Sequence, residues 1–426
     1  MLSFKQKFND FMENYLVFFI LGFAVLALLP YTTALNSLSS SNTGGLVYRG
    51  IILGFVLILF ALILLCNNFR PNKPVTIFCL IYLISNVISI FATPTIREIS
   101  GVPAIKSVVG VATVFSNIIT IFIAINLLKT QEIKSDKFEI AVYLLIGIGI
   151  ALCLYSYIFQ YKEIANMFNK ADGWNYDVTS IFQTKTTFGF CLLVISIFSV
   201  IYAFNSNKSW ILFFPVFFFA NSILIASKKS ILCIGLLLLA VLIRQIIKTW
   251  NDSKKKWLIS FGIIAGVALI LSLLIGFKVG FFEKINNFIT KVIFEDGITV
   301  TKDRIEKITR IVNATNYPFG IIFGTGEGIG SYVLSQSGAV INGDCIYTTI
   351  YSTGGLIKCA LYAFFVGYVI YLITKTDKSK EYKFFRIFFI SILLICGLFE
   401  DDSLFGVNFS FLILCLPLYG NTLKID

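Results

Sequence analysis

Long apolar runs, broken at intervals by short charged stretches, constrain this 426-residue chain more than any motif does. A helix needs about 17–25 residues with little charge to cross a hydrocarbon layer about 30 Å thick. Helices and closed barrels are the structures that satisfy backbone polar groups there. Runs of this kind fall at about 15–35, 51–66, 75–92, 107–128, 138–159, 186–204, 210–226, 230–248, 257–278, 346–373, 385–399 and 405–420. With 57% hydrophobic and 14% charged residues, a soluble domain is excluded. The expectation is an all-α polytopic integral membrane protein of about twelve spans, nine within residues 1–278 and three within 346–426. Residues 279–345 form a large hydrophilic loop between spans 9 and 10. The opening "MLSFKQKFNDFMEN" is followed by no small-residue cleavage site, so the first run reads as a retained span and not as a signal peptide.

Lysines and arginines set the orientation. With the N-terminus inside, 19 of the 35 basic residues fall in inner connections, and short connections sharpen the bias, as the positive-inside rule requires. Both termini are then cytoplasmic and the 279–345 loop is outside. The net charge of +12 follows from this topology and calls for no nucleic-acid partner.

The loop contains "FGTGEGIGSY", residues 323–332, with glycine at 324, 326, 328 and 330. A turn rich in Gly324, Gly326 and Gly328 is of the sort that cradles phosphate. The spacing is not G-x-G-x-x-G, because Ile329 stands three after Gly326, and no Walker lysine is present. A phosphate met here would be extracytoplasmic and lipid-linked. The alternative is that the glycines let a loop fold back beneath a membrane surface.

Absences restrict the chemistry further. There is no histidine, the commonest general base and zinc ligand. No D-x-D pair is available to hold a metal, and the nine cysteines lie mostly in apolar runs without C-x-x-C, as small buried hydrophobes do. No cofactor and no metal is expected. Carboxylates, lysines and seven arginines remain. Four of these arginines, Arg49, Arg97, Arg304 and Arg310, fall on the outer side, where topology alone would not put them. Guanidinium grips phosphate bidentately, so the outer arginines are the first candidates for a diphosphate.

Residues 281–294 and 300–314 carry apolar residues at helical spacing. In the second, Ile305, Ile308 and Val312 share a face, Asp303, Lys307 and Arg310 another, and Arg304 stands at the boundary. Such a helix can lie on a bilayer surface with its boundary arginine at head-group level, or be a solvated charged face.

Five segments in order, "SIFQTKTTFGFCLL" (180–193), "LIASKKSILCIGLLL" (224–238), "DRIEKITRIVNATNYPFGIIFGTGEGIGSY" (303–332), "NGDCIYTTIYSTGGLIKCALYAFF" (342–365) and "GLFEDDSLFGVNFSFLIL" (397–414), resemble the bacterial O-antigen polymerase and O-antigen ligase superfamily. The resemblance covers about residues 180–414 and implies glycan transfer from an undecaprenyl-diphosphate carrier on the outer face of the bacterial plasma membrane, for O-antigen, capsule or exopolysaccharide. It implies an undecaprenyl-diphosphate-linked oligosaccharide and membrane lipids as partners, with a chain-length regulator as a further one. The family's Ser-Arg at a span end is Ser227-Lys228 here, its loop-helix arginine matches Arg304, and the position that is often histidine in ligases is Asp344. A histidine-dependent ligase mechanism cannot operate in this chain, which favours a polymerase.

A sugar diphosphate already carries a good leaving group. The catalyst has to screen its charge, align the attacking hydroxyl and accept a proton. Arg304, Arg310, Lys228 and Lys185 are the candidate cations. Asp344 is the first candidate base, then Glu327, then Glu400. Each has a bland counterpart: Lys185, Lys228 and Lys229 snorkelling at the interface, Asp344 as a helix cap, and Glu400 in a polar hairpin. Lys358 stands apart, inside an apolar run, where an ionisable group suggests function. A flippase or other twelve-span transporter and an O-antigen-type ligase are the competing readings.

Overall fold

A computed structural model describes residues 73–98, 104–130, 132–164, 178–206, 208–225, 227–252, 296–330, 345–375, 380–398 and 422–424, with scattered positions before residue 65 and at 102 and 333. The expected runs at 257–278 and 405–420, and the helix expected at 281–294, lie outside these residues, as do most of the first two runs.

The described residues are nearly all helical. Helix α1 spans Lys73–Ile96, α2 Ala104–Thr130, α3 Ser135–Phe159, α4 Lys185–Asn205, α5 Phe213–Ile225, α6 Lys228–Asp252, α7 Asp296–Thr315, α8 Pro318–Phe323, α9 Ile346–Lys375 and α10 Lys380–Cys396. Eight of these coincide with apolar runs read from the sequence, their ends within a few residues of expectation. A short parallel pairing joins β1, Glu132–Lys134, to β2, Thr422–Lys424. Among the described residues, the helical segments Lys73–Ile96, Asp136–Phe159, Lys185–Phe204 and Ile346–Lys375 are long and apolar enough to cross a membrane; Ala104–Ile119, Ser209–Ile225 and Arg386–Cys396 are shorter apolar stretches.

Helix α1 shows what kind of solvent surrounds it. Its exposed positions include Ile77, Leu80, Ile81, Ile84, Ile88 and Phe91, whereas its buried ones include Tyr82, Ser85, Asn86, Ser89 and Thr93. A helix with its apolar face outward and its polar stripe inward is stable against lipid and not against water. The chain is a helical membrane protein.

Two compact units are present. Unit 1 comprises residues 1–145, 204–208 and 304–426; unit 2 comprises 146–203 and 209–303. In unit 2, α4 is buried continuously from Phe188 to Ala203, the pattern of a helix surrounded by other helices. Thr184 starts it, its hydroxyl accepting the Thr187 N–H at 3.2 Å as an N-cap does. Close packing in this unit relies on small residues: a side chain at Gly149 would meet Phe218 and Ile195, and one at Gly189 would meet the Ser227 and Ser230 hydroxyls. The resembling segments 180–193 and 224–238 therefore touch. Buried hydroxyls elsewhere on these helices bond their own backbone, as Ser196 does to Leu192 O and Ser199 to Ile195 O.

In unit 1, α9 is the helix that positions the site. Gly355, at φ 60 and ψ −158, interrupts it after Gly354, so that two half-helices meet at a break inside the span. Helix α9 packs on α1, α2, α8 and α10. Its first residue, Ile346, donates its N–H to Gly397 O at 2.9 Å, and the Tyr347 hydroxyl donates to Leu394 O at 2.7 Å. At another place in the unit, Lys208 and Glu139 form an ion pair at 2.5 Å, joining the residues just beyond α4 to the start of α3.

Candidate functional site

Backbone groups released by the break in α9 are taken up by the glycine turn. Thr325 N–H donates to Ser352 O at 2.8 Å and Gly326 N–H to Thr353 O at 2.9 Å, while Gly324 N–H closes α8 onto Gly320 O at 2.8 Å. The Thr325 hydroxyl doubles the link to Ser352 O, and the Ser89 hydroxyl of α1 donates to Gly324 O at 3.2 Å. Buried carbonyls at a helix break require donors, and the turn supplies them.

Glycine is needed here because three helices crowd the turn. Gly324, Gly326 and Gly328 have φ values of 71, 93 and 73, a region that L side chains rarely adopt. A side chain at Gly324 would enter the Thr353–Gly355 backbone, one at Gly326 the Ile90 backbone of α1, and one at Gly328 the Lys106 carbonyl and Gly110 backbone of α2. Gly110 in turn has the Glu327 carbonyl oxygen against it. The turn is thus wedged between α1, α2 and α9, with the amides of Gly324, Thr325, Gly326 and Gly330 committed to backbone carbonyls.

Glu327, carried on this wedge, is ion-paired with Lys358, in the first turn of α9 beyond the break. The side chains keep 13% and 6% of their surface, respectively. Lys358 Nζ also donates to Thr353 Oγ1 at 2.7 Å, and that hydroxyl donates to Thr349 O at 2.8 Å. On the other side of the carboxylate stands Tyr82 of α1, fully buried, within hydrogen-bonding reach of Glu327. Asn117 Nδ2 of α2 donates to the Tyr82 hydroxyl at 2.9 Å, which orients the phenolic proton toward Glu327. Asn117, Tyr82, Glu327, Lys358 and Thr353 make one chain of polar contacts inside the helices, drawn from four separate segments of sequence.

The loop helix α7 is bound at its end. The Arg97 guanidinium, just past α1, donates to Ala314 O at 3.2 Å and lies 4.9 Å over the Tyr317 ring. A guanidinium at a helix C-terminus complements both its free carbonyls and its dipole. Burial pushes the Tyr317 phenol up, against the pull of the Arg97 charge. Arg97→Ala is expected to speed hydrogen exchange across 304–315 by at least tenfold while leaving α9 protected, and Arg97→Lys to restore only part of the protection, because an ammonium lacks the planar stack.

The expected residues divide as follows. Arg310, in α7 as expected, is exposed and paired with Glu306 at 2.5 Å, four residues away on the same helix. Arg304 lies in α7 by its backbone, its side chain being outside the described residues, as are Asp344 and Glu400 entirely. Lys185 opens α4 and Lys228 opens α6, both in unit 2; the Lys228 side chain is outside the described residues. Beside it, Lys229 is buried with its ammonium 4.7 Å over the Phe190 ring, and Ser227 and Ser230 share a hydrogen bond of 2.9 Å.

One sequence expectation changes. The apolar face of α7 was expected to run through Ile305, Ile308 and Val312, but the buried residues are Ile311, Ala314 and Thr315, with Ile305 and Val312 exposed. The helix is held through its last turn, at Arg97, so it is that turn which sets the buried side. The break at Gly355 and the Lys358–Glu327 pair lie together within the helices. Sequence reasoning flagged Lys358 by its depth and missed Tyr82, Asn117 and Gly110. The available signal was the spacing of Tyr82, Asn86, Ser89 and Thr93, one polar stripe within an apolar run.

Of the described cysteines, Cys79, Cys153, Cys191, Cys233, Cys345 and Cys396 are buried thiols and Cys359 is partly buried, as small apolar residues are. Compared with family models, with curated proteins and with solved structures, the chain matches none of them.

Proposed function

We propose that the protein is a membrane glycosyltransferase that polymerises polyprenyl-diphosphate-linked oligosaccharide repeat units on the outer face of the bacterial plasma membrane, through about twelve spans with both termini inside. The observation that carries the reading is the way the resembling segments assemble. Segments 303–332, 342–365 and the start of 397–414 meet in unit 1 through the turn, the α9 break and the Ile346–Gly397 bond. Segments 180–193 and 224–238 meet in unit 2 through Gly189 and Ser227.

In this reading, the arginines of α7 and the lysines at the helix starts screen the diphosphate. The acceptor hydroxyl is aligned against the anomeric carbon, and a carboxylate takes its proton. Asp344, the first candidate by sequence, and Glu327 are the two candidate bases. Glu327 has the Lys358 ammonium as its resting partner. The step needs charge neutralisation and alignment more than acid assistance, which suits a site of lysine, arginine and carboxylate without histidine.

A second reading is favoured by one observation. An interrupted helix with a buried ion pair beside the break is a construction used by ion-coupled transporters. One experiment separates the two. Protein reconstituted in vesicles with undecaprenyl-diphosphate-linked repeat units is expected to yield longer glycans and free undecaprenyl diphosphate. Unchanged glycan length with accelerated passage of the lipid-linked unit across the bilayer would establish the transporter reading instead.

A further inference from the structure

The Lys358 cluster has the make-up of an anion site with an anion already in it. Lys358 lies in the first turn of the second half-helix of α9 and is almost wholly buried. Of its three N–H groups, Glu327 and Thr353 take one each. Tyr82 is held from behind by Asn117, so its proton faces the same carboxylate. These donors are mounted on spans α1 and α9, backed by α2. Glu327 is mounted differently: it sits between Gly326 and Gly328 on the turn, and its side chain keeps about twice the open surface of Lys358's. The cationic part of the cluster is therefore built into the helices, while the anionic part is carried on the turn wedged among them, with the Glu327 side chain keeping an open flank.

An ammonium buried beside a helix start is costly unless an anion neutralises it. Any oxyanion that reaches the open flank competes with Glu327 for the same donors. A diphosphate is the stronger competitor, since it brings more negative charge and more acceptor oxygens than a carboxylate.

We infer that Lys358 and Tyr82 form an oxyanion site for a diphosphate, occupied at rest by the chain's own Glu327, and that the arriving diphosphate displaces the Glu327 carboxylate from it. The displaced carboxylate loses its cationic partner at the moment the donor is bound and becomes a proton acceptor. In the transfer step the acceptor hydroxyl gives its proton to Glu327 and its oxygen bonds to the anomeric carbon. The bond from that carbon to the diphosphate oxygen breaks, and the electron pair stays on the diphosphate, held by Lys358. The inference deepens the proposed function and rests on it for the identity of the donor; the anion site itself is tested without any glycan.

The full chain in lipid nanodiscs is titrated with inorganic diphosphate, followed by calorimetry and by thermal unfolding. Wild type is expected to bind weakly. Glu327→Gln, which removes the resident anion, is expected to unfold at a lower temperature, to recover on adding diphosphate, and to bind it at least tenfold more tightly than wild type. Lys358→Gln is expected to lose binding in either background. Equal affinities in wild type and Glu327→Gln, or undiminished binding in the Lys358→Gln/Glu327→Gln double variant, would overturn the inference. If Glu327→Gln does not fold, Tyr82→Phe keeps the ion pair and removes one donor. It is expected to weaken diphosphate binding severalfold, and unchanged affinity refutes the site. Competition by undecaprenyl diphosphate incorporated in the disc assigns the lipid head group as the natural ligand. Binding of inorganic diphosphate without such competition upholds the site but rejects the lipid-linked donor of the proposed function.

Discussion

Gly324→Ala is expected to destabilise the protein severely, with Gly110→Ala close behind. Gly324 combines two obstacles: a backbone conformation at φ 71 and ψ −161, strained by about 1–3 kcal/mol for a residue with a side chain, and a methyl placed against the Thr353–Gly355 backbone. Overpacking of this kind adds about 1–3 kcal/mol, and no flexible side chain is there to give way. Gly110 is helical and unstrained, but its methyl would overlap the Glu327 carbonyl oxygen, driving the turn off α2. Gly367→Ala provides the control, since a methyl at Gly367 meets nothing and alanine is the better helix former by about 0.5–1 kcal/mol. Thermal unfolding in detergent checks all three. If Gly324→Ala and Gly367→Ala unfold alike, the turn is not wedged among the helices.

Lys358→Met is expected to cost about 3–5 kcal/mol, because it leaves Glu327 as an uncompensated charge among the helices. Replacing both partners, in Lys358→Met with Glu327→Leu, is expected to recover most of that loss, since a buried ion pair contributes little over an apolar pair of similar volume. The double variant separates structure from function: it should fold and unfold much as wild type does, yet form no polymer in the reconstituted assay. Stability curves of the two single variants and the double variant give the coupling energy directly. Single variants that each lose under about 1 kcal/mol would show that the two groups are not paired inside the protein.

The helices were legible because the apolar runs are long and their interruptions charged. Residues 75–92, 138–159 and 346–373 needed only length and composition to be read as spans, and 300–314 only its period. The site was less legible, for reasons that particular residues make plain. Lys358 stands out in sequence by the apolar residues around it, but its partner is 31 positions away and reaches it only because α9 breaks at Gly355. Nothing in "STGGLIK" distinguishes a break from a helix that tolerates two glycines. The glycines of 324–328 suggested a phosphate cradle, because in sequence a turn that offers its amides looks the same as one that spends them on a neighbouring helix. Arg97 could be placed on the loop side but not on α7, since the contact depends on where α7 ends. Arg310 was read from its helical face correctly, while Glu306, four residues before it, was passed over as a partner.

The bonds from Ile346 N–H to Gly397 O and from Tyr347 to Leu394 O carry a consequence for sidedness. The chain enters α9 and leaves α10 at one level, so the two form a closed hairpin whose open ends share a compartment. One impermeant thiol reagent, applied from either side of the membrane to a cysteine placed at the exposed Leu398, therefore reports the sidedness of both ends at once.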